Sequence, residues 1–282
     1  MGTKQKEPEL VSEAAPVVVA SHPRSGTHLL IDLLRHQFEA CRSWKWWGER
    51  LDRLYCSIDE LNAERGRLNE PTAKRILRRT ERPLVKTHAW PGYQEVFLEQ
   101  HHDGLAPQWE RWLRERATPL YVYRDGRDVM CSYQIFRRAF DPGSQGSVGA
   151  FMRGHDAGRA VNRVRQWRAH VQQWRAVEGA HAICFEHILE RPEKTIQRIG
   201  ALLDLDPDWR TPLLPERFSS IWHSRKARLF ESRPESTAII GEKSNDWTEQ
   251  FASTDRAFFH DEAGDLLIEL GYESSDEWAS AP

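Results

Sequence analysis

The sequence predicts an α/β fold: one domain built on a central, mainly parallel β-sheet flanked by helices. Three observations carry that expectation. Short runs of β-branched and apolar residues, of the kind that form strands covered on both faces, recur along the chain. Several pass through a short polar loop into a stretch with apolar residues at helical spacing, which is the grammar of a βα unit. A length of 282 residues, 39% hydrophobic and 29% charged, suits a globular chain with a sizeable core.

Pro16-Val17-Val18-Val19-Ala20 is the first strand run. It continues through Ser21-His22-Pro23-Arg24-Ser25-Gly26-Thr27-His28 into a helix carrying Leu29, Leu30, Leu33, Leu34 and Phe38. Pro83-Leu84-Val85-Lys86 is the second run and ends in Thr87-His88. Pro119-Leu120-Tyr121-Val122-Tyr123 is the third, followed by Arg124-Asp125-Gly126 and a helix over 128–140. Residues 141–149, rich in glycine, read as a loop leading to a tryptophan-bearing helix over about 162–176. Ala182-Ile183-Cys184-Phe185 is the fourth run. A helix over 192–203 follows, with Ile196, Ile199, Leu202 and Leu203 at apolar positions, and 255–270 reads as a last amphipathic helix. Residues 1–14 read as a flexible tail, 15–275 as the domain and 276–282 as a C-terminal tail.

Charge and composition narrow the function. Lys plus Arg is 40 and Asp plus Glu is 42, a net charge of −2, which argues against coating nucleic acid or an anionic membrane. Met1 to Ala15 lacks the apolar core of a signal peptide, and no apolar run nears the ~18 residues that span a bilayer. Lys6 breaks the myristoylation pattern after Gly2. Cys41, Cys56, Cys131 and Cys184 are scattered with no CxxC pair, so no metal is expected and a reducing cytoplasm is. Tryptophan is the odd number: 12, against 11 Phe and 6 Tyr. Its large amphipathic ring makes a good ligand wall, although composition alone favours a plain Trp-rich core.

The chemistry gathers at the strand ends, where open α/β sheets bind ligands. A loop entering a helix N-terminus collects backbone N–H groups and the positive end of a helix dipole, a setting for an anion. Gly26 lets the backbone close, Ser25, Thr27 and His28 add donors, and Arg24 adds a fork-shaped charge. The nucleoside-triphosphatase loop G-x-x-x-x-G-K-[ST] is not met: Ser21 stands where its first Gly is required and Thr27 where its Lys is. Arg124 at the third strand's end and Ser132 in the next helix suit a second phosphate. Two separate phosphate sites imply a bisphosphorylated nucleotide.

In these motifs the chain resembles the cytosolic-type sulfotransferases, which use 3′-phosphoadenosine 5′-phosphosulfate (PAPS) and release 3′-phosphoadenosine 5′-phosphate (PAP). The loop 21–28 is similar to that family's 5′-phosphosulfate loop, and Tyr121 to Val129 with Ser132 and Phe136 to its 3′-phosphate motif. Lys86-Thr87-His88 matches a strand end whose His is the catalytic base. Trp167-Arg168-Ala169-His170-Val171-Gln172-Gln173-Trp174 matches W-x-x-H-V-x-x-W. Phe185 to Pro192 resembles Y-E-D-L-x-x-x-P, and Asn245-Asp246-Trp247 resembles Gly-Asp-Trp. The resemblance runs in order from about Val17 to Phe251.

The resemblance implies a P-loop-NTPase-like sulfotransferase fold and sulfuryl transfer from PAPS, without metal, to a hydroxyl or amine. It implies His88 as general base, Lys86 at the sulfuryl oxygens, and Arg24 in place of the loop Lys that steadies the departing 5′-phosphate. The nucleotide would be held by Arg24, Ser25, Gly26, Thr27, His28, Arg124, Ser132, Phe185, Gly241 and Lys243. Three departures stand out. Leu29 replaces the adenine-stacking Trp, Phe185 replaces a Tyr, and Ile240-Gly241-Glu242-Lys243-Ser244 replaces an Arg-Lys-Gly segment. The family's dimerisation motif is missing, which leaves the oligomeric state open.

Trp44, Trp46, Trp47, Trp90, Tyr93, Phe136 and Phe140 make an aromatic wall expected to face the acceptor. That wall suits a small hydrophobic or aromatic acceptor, with a carbohydrate as the alternative. Trp167, Trp174 and Trp247 read as framework. Trp109, Trp112, Trp209 and Trp278 are left to packing or surface, and Trp222 is unassigned. Two rivals stand beside this reading: a non-catalytic PAP-binding protein, against which Lys86 and His88 argue, and a P-loop kinase, against which the absent Gly-Lys-[Ser/Thr] argues.

Overall fold

The computed structural model describes residues 10–42, 55–61, 70–95, 98, 106–139, 141, 144–156, 158–214 and 247–280. In chain order the main elements are β1 (Val17–Ser21), α1 (Thr27–Gln37), β2 (Cys56–Ser57), α2 (Ile58–Leu61), α3 (Glu70–Leu77), β3 (Leu84–Thr87), α4 (Ala106–Arg116) and β4 (Thr118–Tyr123). There follow α5 (Gly126–Arg138), α6 (Val148–Arg153), α7 (Arg163–Arg175), β5 (His181–Cys184), α8 (Phe185–Glu190), α9 (Pro192–Leu203), α10 (Trp247–Gln250) and α11 (Ser253–Glu269).

The five strands form one parallel sheet in the order β2-β3-β1-β4-β5. Val17 to Ala20 pair in register with Leu84 to Thr87 on one side, and Val17 to Ser21 with Thr118 to Val122 on the other. The chain leaves β1 toward one edge and later returns to the opposite side at β4. The carboxyl end of β1 therefore lies where the connections diverge, the position at which open α/β sheets place a ligand.

Two compact units can be distinguished. The first, Met1–Ser21, Leu29–Val122 and Gln173–Leu214, contains the sheet and its principal core. Val17 and Val19 of β1 pack with Leu30, Leu33, Leu34 and Phe38, and with Ile183, Ile196 and Ile199, all at most 1% exposed. Every residue of β1 is buried, so the strand carries no polar–apolar alternation. Trp112 is buried here and donates its indole N–H to the Ala14 carbonyl at 2.7 Å.

The second unit, His22–His28, Tyr123–Gln172 and Pro215–Pro282, is built around aromatic rings. Trp167, Phe259, Phe251, Trp247 and Trp278 form a chain of edge and tilted ring contacts. Arg127 is buried within it, its guanidinium 3.9 Å from the Trp247 ring and 4.6 Å from that of Trp278. Asp125, at 2.7 Å, and Glu273 neutralise that cation. Gly126 opens α5 because a Cβ there would lie 2.7 Å from the Trp167 ring.

The four expected strands are present, with differences at their ends. Phe185 starts α8 instead of ending β5, and Val148 and Gly149 of the expected 141–149 loop open α6. The Ser147 hydroxyl accepts the Ala150 N–H at 3.2 Å and starts that helix, a cap that outweighs the glycine composition. Strand β2 and helix α4 were not expected. The first is too short to leave a pattern, and the second carries Trp109 and Trp112 in a strongly charged stretch. Trp278, placed by the sequence in a tail, is 8% exposed and packed. Among the described residues no helix is long and apolar enough to cross a membrane.

Candidate active site

In the sheet-bearing unit, β3 delivers Lys86, Thr87 and His88 to its carboxyl end. Lys86 is 8% exposed and Thr87 fully buried, while His88 just beyond the strand is half-buried. The His88 Nδ1 lies 2.9 Å from the Ser21 carbonyl oxygen and 3.4 Å from the Ser21 hydroxyl. A carbonyl can only accept, so Nδ1 carries the proton, and in the neutral ring Nε2 keeps the lone pair.

Asp59, a residue the sequence reading did not single out, binds this strand end. Its carboxylate accepts the Thr87 hydroxyl at 3.1 Å, the His88 N–H at 3.0 and 3.1 Å, and the Lys86 ammonium at 3.4 Å. Burial opposes its ionisation. The charges of His88 and Lys86 and the hydrogen bonds from His88 and Thr87 outweigh that and hold its carboxyl below the usual carboxylate range. No motif marks Asp59. It becomes visible only through the register that pairs Ser57 with Lys86.

In the other unit, the loop after β1 places Arg24 and Gly26 at positive φ, 71° and 104°. Such a turn lets consecutive backbone N–H groups converge as an anion-binding concavity. The Ser25 hydroxyl is buried and has no hydrogen-bond partner among the described residues. Arg24 donates from Nε to the Ser132 hydroxyl at 3.1 Å, and its guanidinium lies 5.2 Å from the Phe136 ring. Burial, followed by repulsion from Arg124, lowers the Arg24 pKa to about 10. Two mutually repelling guanidinium groups, one of them bonded to a serine hydroxyl, are able to receive a multiply charged anion.

Arg124 is paired with Asp128 at 3.2 Å, and Asp128 also accepts the Trp247 N–H at 3.3 Å. Burial is the main reason that the Asp128 pKa rises to about 6, the Asp125 charge adding to it and Arg124 opposing it. Asp125 caps α5 by accepting the Arg127 N–H at 2.9 Å.

The structure thus brings Lys86 next to His88, and Arg24 next to Ser132 and Phe136. Thr27 is buried and His28 half-buried at the start of α1. Phe185 lies in the apolar core of the sheet-bearing unit. Tyr93, expected in the acceptor wall, is buried and stacked at 5.7 Å on Trp174, which also stacks on Tyr121 at 5.5 Å. Trp174 donates its indole N–H to the Ala89 carbonyl at 3.0 Å, tying this stack to the residue after His88. Trp90 is half-buried. Trp44, Trp46, Trp47, Phe140, Gly241 and Lys243 lie outside the described residues, as does Trp222.

Among curated proteins none matches the sequence. Mouse sulfotransferase SULT7A1, solved with PAP, is 15% identical over 92% of this chain and 85% of its own, with a TM-score of 0.52. Retinol dehydratase in complex with retinol and PAP is 17% identical over 91% of this chain and 82% of its own, at a TM-score of 0.55. Its complex with androsterone and inactive cofactor PAP gives 17% identity, 93% and 82% coverage and 0.53. At these identities the likeness establishes the fold. Residues 15–261 match the sulfotransferase domain, which is most of the chain, and the protein belongs to that family.

Proposed function

We propose that the protein transfers a sulfuryl group from PAPS to the hydroxyl or amine of a small acceptor and releases PAP, with His88 as general base. The observation that carries this reading is the 2.9 Å contact of His88 Nδ1 with the Ser21 carbonyl. It leaves Nε2 able to take a proton from an acceptor near neutral pH. Sulfuryl transfer places charge on the equatorial and leaving oxygens, as phosphoryl transfer does, so positioned cations do most of the work. Lys86 supplies one such cation two residues before the base.

The donor's charged groups fit the other residues described. The buried Ser25 hydroxyl, which has no partner among the described residues, and the N–H groups of a positive-φ loop suit a phosphate, and Arg24, Arg124 and Ser132 suit a second. Arg24 is turned to Ser132, so it contributes to the 3′-phosphate as well as to the loop. PAPS supplies the activated sulfuryl group. The acceptor is read as a hydrophobic alcohol, because retinol dehydratase forms complexes with retinol and androsterone and because Trp90 stands two residues after the base. All four cysteines are free and buried, which suits a reducing cytoplasm.

The test is incubation with labelled PAPS, or with ATP as control, and a panel of phenols, steroids, long-chain alcohols and sugars. Transfer from PAPS alone is expected. PAP binding without turnover on any acceptor would make the protein a nucleotide binder instead. His88→Ala should keep PAP affinity within about threefold and lose at least ~10²-fold in kcat. Undiminished turnover in that variant would remove His88 from the reaction.

A further inference from the structure

We propose that Asp59 is the positioning residue of the transfer site, ordering the Lys86-Thr87-His88 strand end and holding Lys86 until a sulfuryl oxygen replaces it. The inference rests on the roles proposed for His88 and Lys86. Three consecutive residues of one strand end converge on this single carboxylate. His88 follows the last residue of β3, a place where the main-chain N–H needs a partner. Asp59 supplies it with both oxygens. The base is thereby anchored twice, through its main chain to Asp59 and through its ring to the Ser21 carbonyl.

The bond to Lys86 is of another kind. At 3.4 Å it is longer than the ~2.7–2.9 Å of a strong charge-assisted hydrogen bond. A loosely held ammonium can be exchanged for an incoming oxygen at little cost. The placement has a covalent origin. Strand β2 has only two residues, Ser57 pairs with Lys86 across the ladder, and α2 begins at the next residue. That short strand carries Asp59 to the end of β3, where its carboxylate meets both His88 and Lys86.

Asp59→Ala and Asp59→Asn, compared with the wild type in kcat, KM for PAPS, Tm and the NMR titration of the His88 C2–H, test this. In Asp59→Ala, kcat should fall roughly 10–100-fold while KM for PAPS moves less than about threefold. Asp59→Asn keeps an acceptor for the His88 N–H and should recover part of the rate. The His88 titration should move to lower pH in both variants, because a neighbouring negative charge is gone. Full kcat in Asp59→Ala, or a loss that tracks the unfolded fraction and leaves the His88 titration in place, would overturn the assignment. If the wild type transfers from PAPS to no acceptor, the proposed reaction fails. The titration then judges Asp59 alone: a shift supports it and none refutes it.

Discussion

Ser25→Ala separates a residue built for a ligand from one built for stability. The Ser25 hydroxyl is buried, with no hydrogen-bond partner among the described residues. Leaving a buried polar group unsatisfied costs about 1–3 kcal/mol, so its removal should raise the stability of the ligand-free protein by about 1 kcal/mol. At about 2–4 °C per kcal/mol for a chain approaching this size, Tm should rise by a few degrees. In the proposed complex the same hydroxyl would donate to a phosphate, a bond worth about 1.5–3 kcal/mol, so PAP affinity should fall roughly 10–150-fold. With PAP at 100 times the wild-type Kd, ligand stabilisation is about 2.7 kcal/mol in the wild type and about 0.3–1.4 kcal/mol in the variant. Thermal melts with and without PAP, and calorimetric titration, measure both. An apo Tm several degrees below wild type, or an unchanged Kd, would refute the reasoning.

Three further outcomes are expected. Arg124→Ala should weaken PAP binding by about 1.5–3 kcal/mol by calorimetry, and unchanged affinity would exclude its 3′-phosphate role. Arg127→Met should cost about 3–5 kcal/mol in denaturant melts, because Asp125 and Glu273 are left without their buried cation. The two shifted carboxylates should act oppositely with pH. Asp128, raised to about 6, binds its proton more tightly folded than unfolded, so it makes stability fall as pH rises from about 4 to 6. Asp59, held low, contributes stability above the ordinary carboxylate pKa and loses it as pH falls through its folded value. Asp128→Asn should therefore flatten the fall between pH 4 and 6 and raise Tm at pH 7.5; an unchanged Tm profile would contradict the burial of that carboxylate.

How much was legible depended on whether a residue's role is local. The all-apolar run of Val17 to Ala20, the glycine at 26 and the Lys-Thr-His strand end could be read directly, because strand propensity, loop closure and spacing two apart are properties of short segments. Phe185 was misplaced by one element because an aromatic at a strand end fits strand or helix equally well. The tryptophans divide by burial that composition could not predict. Trp112, Trp167 and Trp174 are at most 1% exposed, whereas Trp209 is 47% exposed. Tyr93 belongs to the stack behind the strand end, where the sequence had put it in the acceptor wall.

By itself, then, the sequence determined four of the five strands, the helices α1, α5, α7, α9 and α11, the glycine-bearing loop after β1 and the two motifs that resemble a nucleotide's phosphate sites, since each depends on neighbours along the chain. Only the tertiary structure decided which charges share a partner. Asp59 meets residues 86 to 88 across a parallel ladder, and Arg24 meets Ser132 from more than a hundred residues away. Arg127 is wrapped by Trp247 and Trp278 from the far end of the chain. A side chain's hydrogen bonds and charge depend on distances of a few ångströms, and between residues far apart in sequence those distances are fixed by the packing of the sheet and of the helices around it.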